Sequence, residues 1–119
     1  VAESPIDALS LATLVKLSRG DWQGSHYLSL GGTAPRAMLQ FLYDHPHVTQ
    51  VSLCLDNDKA GMVGMERLEN AIREDPELSQ RVTLIYRNPP PAEYGKDYNE
   101  FLCQVKVARR QQRERGETR

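Results

Sequence analysis

The sequence is poor in cysteine and aromatic residues and has no long apolar run. Its two cysteines, Cys54 and Cys103, lie far apart, with no C-x-x-C spacing and no histidine pair beside them. That argues against a disulfide framework and a cysteine-based zinc site, and a reducing, cytoplasmic setting is expected. No stretch approaches the roughly 18 apolar residues that cross a bilayer, so no membrane span is expected. The first residues have neither the basic start nor the apolar stretch of a signal peptide. The chain opens on Val1 rather than Met and is expected to be a piece of a longer protein. A large excess of one charge is also missing, since the formal net charge is -1. A nucleic-acid binder that is basic throughout is thereby excluded, and any such surface must be local.

What is present is one domain's worth of chain. The 119 residues are 39% hydrophobic and 26% charged, a balance that suits a soluble core-forming domain. Charge is split along the chain: residues 1–105 carry 9 Lys and Arg against 14 Asp and Glu, and residues 106–119 carry 6 against 2. The division expected is a folded domain over 1–105 and a basic helical tail or linker over 106–119.

Within the domain, strand-like and helical segments alternate. Val1-Ala2 is the end of a first strand. Ser4, Pro5 and Asp7 open a helix in a variant of the capping box. A second strand over 26–30 closes at Gly31-Gly32, and a helix starts near Pro35. Residues 48–55 are the most β-branched and apolar run, followed by Asp56-Asn57-Asp58 and a helix toward Pro76. A fourth strand over 82–86 leads through a proline-rich loop, 88–97, into a last helix near Tyr98. This alternation predicts an α/β fold: a Rossmann-like, three-layer α/β/α domain around a four-stranded parallel sheet. Right-handed crossovers favour the strand order 2-1-3-4.

Ligands of open parallel sheets bind beyond the carboxyl ends of the strands. The unusual residues fall at all four such ends: Glu3, Gly31-Gly32, Asp56 with Asp58, and Lys96-Asp97. Two aspartates after a buried strand crowd like charges together, and a cation relieves that crowding. Mg²⁺ is the natural candidate, because it takes hard oxygen ligands and keeps waters for substrate phosphates. Each residue also has a structural reading. Asp58 caps the next helix, Asp56 forms a turn, Asp7 is a cap, and Gly31-Gly32 either admits a phosphate or makes a tight turn. Gly61 and Gly64 allow close approach to a ligand or to a packing neighbour. His45 and His47 flank Pro46 and read as a surface turn or a metal pair, and Trp22 caps the core or stacks on a base.

Together these residues resemble the TOPRIM domain of topoisomerases, primases and OLD-family nucleases. The matching marks are Glu3 in VAESPIDAL, Gly31 in LSLGGT, and Asp56 and Asp58 in LCLDNDKAG. GKDYNEFL, at 95–102, resembles the segment after the last strand in primase-like members from phage and mobile elements. The resemblance implies that Asp56 and Asp58 hold Mg²⁺, for which Mn²⁺ substitutes, with Asp97 assisting. Glu3 is then a ligand or the general acid/base, and Gly31, Gly32, Lys59 and Lys96 face phosphate. The implied function is phosphodiester chemistry on DNA, or on RNA or nucleotides, within a larger primase-like replication or mobile-element protein whose other domains are partners. A nuclease module and a non-catalytic DNA- or protein-binding module are the alternatives. A phosphotransferase of the haloacid dehalogenase kind fits poorly, because its D-x-D follows the first strand and this one follows the third.

Overall fold

The computed structural model describes residues 1–116. The apolar run after Pro46 forms β1, Gln50–Leu53, and the later apolar run forms β2, Leu84–Arg87. They pair in parallel, with Val51 opposite Ile85 and Ser52 opposite Tyr86. Val51, Leu53 and Leu55 are buried in the main core cluster with Met38 and Leu42 of α2, Arg36–Asp44, and Met65, Leu68 and Ile72 of α3, Lys59–Glu74. Ser52 and Cys54 alternate with those residues, as period-two geometry requires. Cys54 is 4% exposed, so the second face is also covered there. The helices α1, Pro5–Leu17, and α5, Tyr98–Glu114, pack against each other.

The expected four-stranded sheet does not form: the regular sheet has two strands. The other two segments approach it without becoming strands. Ala2 makes a single parallel bridge to Ser29. Its N–H donates to the Leu28 carbonyl at 2.8 Å, and Leu30 N–H donates to the Ala2 carbonyl at 2.9 Å. On the other side, the Val1 nitrogen donates to the Ser52 carbonyl and Cys54 N–H to the Val1 carbonyl, both at 2.8 Å. Residues 28–30, 1–3, β1 and β2 therefore lie side by side in that succession. Pairing between these two segments stops at the single bridge because the chain turns away on both sides, at the Ser4 cap of α1 and at the positive-φ pair Gly31-Gly32.

The helix starts follow their caps. The Ser4 side chain accepts from Asp7 N–H, Asp58 from Gly61 N–H, and Asp97 from Glu100 N–H. One helical turn was not anticipated: α4, Leu78–Arg81, precedes β2. Asp75 explains it, because its Oδ1 accepts from the N–H groups of Glu77 and Leu78 at 3.0 and 2.9 Å. Residue 105 falls inside α5, which runs across it without a break. Among the described residues, no helix is long and apolar enough to cross a membrane.

Candidate functional site

Glu3, Asp56 and Asp58 end neighbouring chain segments, so the sheet delivers three carboxylates to one edge. Two backbone devices fix them there. Gly32 N–H donates to the Glu3 carbonyl at 2.9 Å, tying the glycine turn to the acid. Gly31 and Gly32 have φ of +67° and +148°, which only glycine adopts without strain. Gly32 thus spends its amide on Glu3, and a Cβ on either Gly31 or Gly32 would meet nothing within 4 Å.

The second device is the close approach of α3. A Cβ at Gly61 would run into the backbone carbonyl of Asp56, with Asp56 N only 3.0 Å away. At Gly64 it would meet Leu55 Cδ2 at 2.9 Å and Thr33 Cβ at 3.1 Å. Both glycines serve packing, and Gly61 does so against the backbone of a candidate ligand.

The electrostatics are those of an uncompensated acid cluster. Burial pushes the Glu3 carboxyl up to about 7, reinforced by its hydrogen bond to Asp56 and by the charges of Asp56, Asp58 and Asp7. Asp56 is also raised, first by burial; its hydrogen bond with Glu3 opposes this, and the charges of Asp7, Asp58 and Asp97 add to it. Burial and the neighbouring acids thus raise the proton affinity of both carboxyls. No cation relieves the crowding, for the side-chain ion pairs among the described residues lie elsewhere, at Glu69 and Glu77.

Asp97 belongs to the same electrostatic group but already works as a cap, accepting from Glu100 N–H at 2.8 Å. Asp58 likewise commits Oδ1 to Gly61 N–H at 2.7 Å. Lys59 and Lys96 are exposed, and neither forms an ion pair among the described residues. The donor set is all carboxylate oxygen, which suits a hard divalent cation. As the side chains stand, no three His, Cys, Asp or Glu among the described residues are grouped to hold an ion. His45 and His47 instead join His26 in a ring cluster on Phe41, with His45 stacked at 3.9 Å from it.

Two residues make long-range positioning contacts beyond what the sequence indicates, Asn57 within the D-N-D turn and the cap residue Asp7. Asn57 sends its backbone N–H to the Lys96 carbonyl and its side-chain amide to the Pro90 carbonyl at 3.0 Å. It thereby latches the D-N-D turn to the loop that carries Lys96 and Asp97. Asp7, 6% exposed, takes the Ser4 hydroxyl at 2.8 Å and Asn99 N–H at 3.2 Å. It joins the start of α1 to the start of α5, and Ser10 adds a bond to Asn99 at 3.4 Å. The only sequence signal was composition: a polar residue between two acids, and an acid one turn into a helix.

The arrangement is that of a parallel α/β domain with its acids gathered at the carboxyl ends of the sheet segments. A protein-family model, described as Toprim-like, matches residues 1–102. The chain belongs to this Toprim-like family. It is 34% identical over 122 residues to pXO2-78, an uncharacterised protein of Bacillus anthracis, across 96% of this chain and 34% of that protein. The chain thus spans about a third of the length of the curated relative it matches. No solved structure matches it.

Proposed function

We propose that the chain is the metal-dependent, nucleic-acid-directed module of a larger primase-like replication or mobile-element protein. The observation that carries this reading is the uncompensated cluster of Glu3, Asp56 and Asp58 at the ligand-binding edge of the sheet. Crowded carboxylates without a cationic partner are unfavourable unless a cation joins them, and family membership supports Mg²⁺ as that cation. Asp56 and the uncommitted oxygen of Asp58 are the ligands in this reading, and Mn²⁺ takes the same oxygens. When bound, the metal stabilises charge on the transferring phosphoryl group. Glu3, whose carboxyl is raised to about 7, is suited to hold and release a proton near neutral pH. Asp97 contributes charge at the edge while capping α5. The open backbone at Gly31 and the side chains of Lys59 and Lys96 are left to meet phosphate. Gly32 has a structural part, since its amide holds Glu3 in place.

A second reading has its own support. Asp58 and Asp97 both cap helices, as they would in a domain that keeps the fold and binds DNA or protein without chemistry. A Mn²⁺ titration of the full chain, followed by amide NMR, separates the two. The enzymatic reading expects line broadening confined to Glu3, Gly31, 56–58 and Asp97, abolished in Asp56→Asn. Diffuse broadening, or an Asp56→Asn variant that binds as the unaltered chain does, overturns it.

A further inference from the structure

The second half of α5 carries Lys106, Arg109, Arg110 and Arg113. Their spacing of i, i+3, i+4 and i+7 places all four on one face of the helix. Like charges at these spacings destabilise a helix by about 0.2–0.5 kcal/mol per pair, so the stripe opposes its own folding. Glu114, four residues after Arg110, is the one acid in this stretch of α5; all four cations are exposed, and none forms an ion pair among the described residues. Arg109 donates to the Leu17 carbonyl at 3.1 Å, which fastens the helix to the end of α1 without neutralising the guanidinium. The helix dipole does not account for the stripe either, because its effect fades within the last turn and Lys106 to Arg110 lie before that.

We infer that this stripe is a binding surface for the phosphodiester backbone of a polynucleotide. The inference rests on the proposed nucleic-acid reading and names the element that grips. The geometry suits a rigid arm. One uninterrupted helix runs from the Asp97 cap at the acid cluster to the stripe, which lies about 14 to 24 Å along its axis from that cap. An acidic site repels a polyanion, and a separate cationic face on the same rigid element supplies the attraction that the site lacks. A membrane is a poorer occupant, because surface helices need a broad apolar face. Around the stripe the sequence is Ala108, Gln111, Gln112 and Glu114, with Val107 the single exposed large apolar residue there.

The test uses the full chain and labelled oligonucleotides of about 16 nucleotides. Single-stranded DNA, duplex DNA and RNA are each titrated between about 50 and 200 mM salt by fluorescence anisotropy. Replacing Lys106, Arg110 and Arg113 together by Gln, with Arg109 kept as the anchor, is expected to reduce the slope of log affinity against log salt by about 2 to 3. A control with the same charge change, Arg36, Arg67 and Arg73 to Gln, keeps the slope. Arg110→Gln alone lowers it by about 0.7 to 0.9, which serves if the triple variant is not folded by circular dichroism. The tightest of the three probes identifies the source of the backbone. An unchanged slope, an equal fall in the control, no binding by the unaltered chain at the lowest salt, or polyglutamate competing as well as polynucleotide overturns the inference. Asp56→Asn separates the two readings: it abolishes the Mn²⁺ response if the site reading holds, and it leaves the salt slope intact if the arm is the grip.

Discussion

Asp58 and Asp97 differ from Glu3 and Asp56 in what each carboxylate already does. Asp58 and Asp97 each satisfy a backbone N–H at a helix start, at 2.7 and 2.8 Å. Glu3 and Asp56 satisfy no such group; they face each other, and both are pushed up in proton affinity. The first pair has a structural reason to be acidic. The second pair has a structural penalty for being acidic, and that penalty is the stronger indication of function. Asp58 stands on the boundary, with one oxygen on the cap and one left over.

The sharpest way to break this contrast is through Gly61, whose N–H donates to Asp58 and which lies against the backbone of Asp56. Gly61→Ala gains about 1 kcal/mol of helix propensity. It also drives a methyl into the Asp56 carbonyl, which is main chain and has little room to give. The clash should win, with a net loss of about 1–3 kcal/mol in urea denaturation and weaker Mn²⁺ binding at the same time. Removing a cap comes next. Asp97→Ala and Asp58→Ala should each lower stability by about 1 kcal/mol, and Asp58→Ala, which also removes a proposed ligand, should weaken Mn²⁺ binding more than Asp97→Ala, which removes charge at the edge. Asp56→Asn should change stability by no more than about 0.5 kcal/mol, because it deletes a like charge and no backbone bond. A large destabilisation there would mean that Asp56 has a structural duty after all.

The smallest effect is a slope. Glu3 binds its proton more tightly in the folded chain, from the ordinary 4.5 up to about 7. Between those values the folded state holds more protons than the unfolded one, so stability from this group falls as pH rises through the window. Below about 4.5 and above about 7 the contribution is flat. Thermal melts across that range should fall less steeply for Glu3→Gln than for the unaltered chain. Parallel curves would show that Glu3 is not held in the acid pair.

Much of this was legible in the sequence for physical reasons. Caps are local, so Ser4 and Asp58 announced their helices within three residues. The acids at strand ends follow from the alternation of segments, and the apolar run 48–55 marked the central strand. The missing parts depend on contacts between distant residues. Asp7 and Asn99 meet across 92 positions, and no periodicity signals that. At Gly61 the sequence suggests close approach without saying of what, and the neighbour is the backbone of Asp56. Strand pattern runs through 26–30, whereas a ladder needs repeated pairing between distant segments, and here the pairing is the single Ala2–Ser29 bridge.

Asn57 joins, through one side chain and one backbone N–H, two loops more than thirty positions apart. Opening either loop breaks the bonds that Asn57 makes between them, so their amides should exchange with deuterium in a coupled way. An ion or phosphate captured by either loop would then slow exchange in both. In Asn57→Ala the side-chain bond to Pro90 is lost and the backbone bond to Lys96 stays, so exchange in the two loops should become less tightly coupled, and binding at one should quiet the other less.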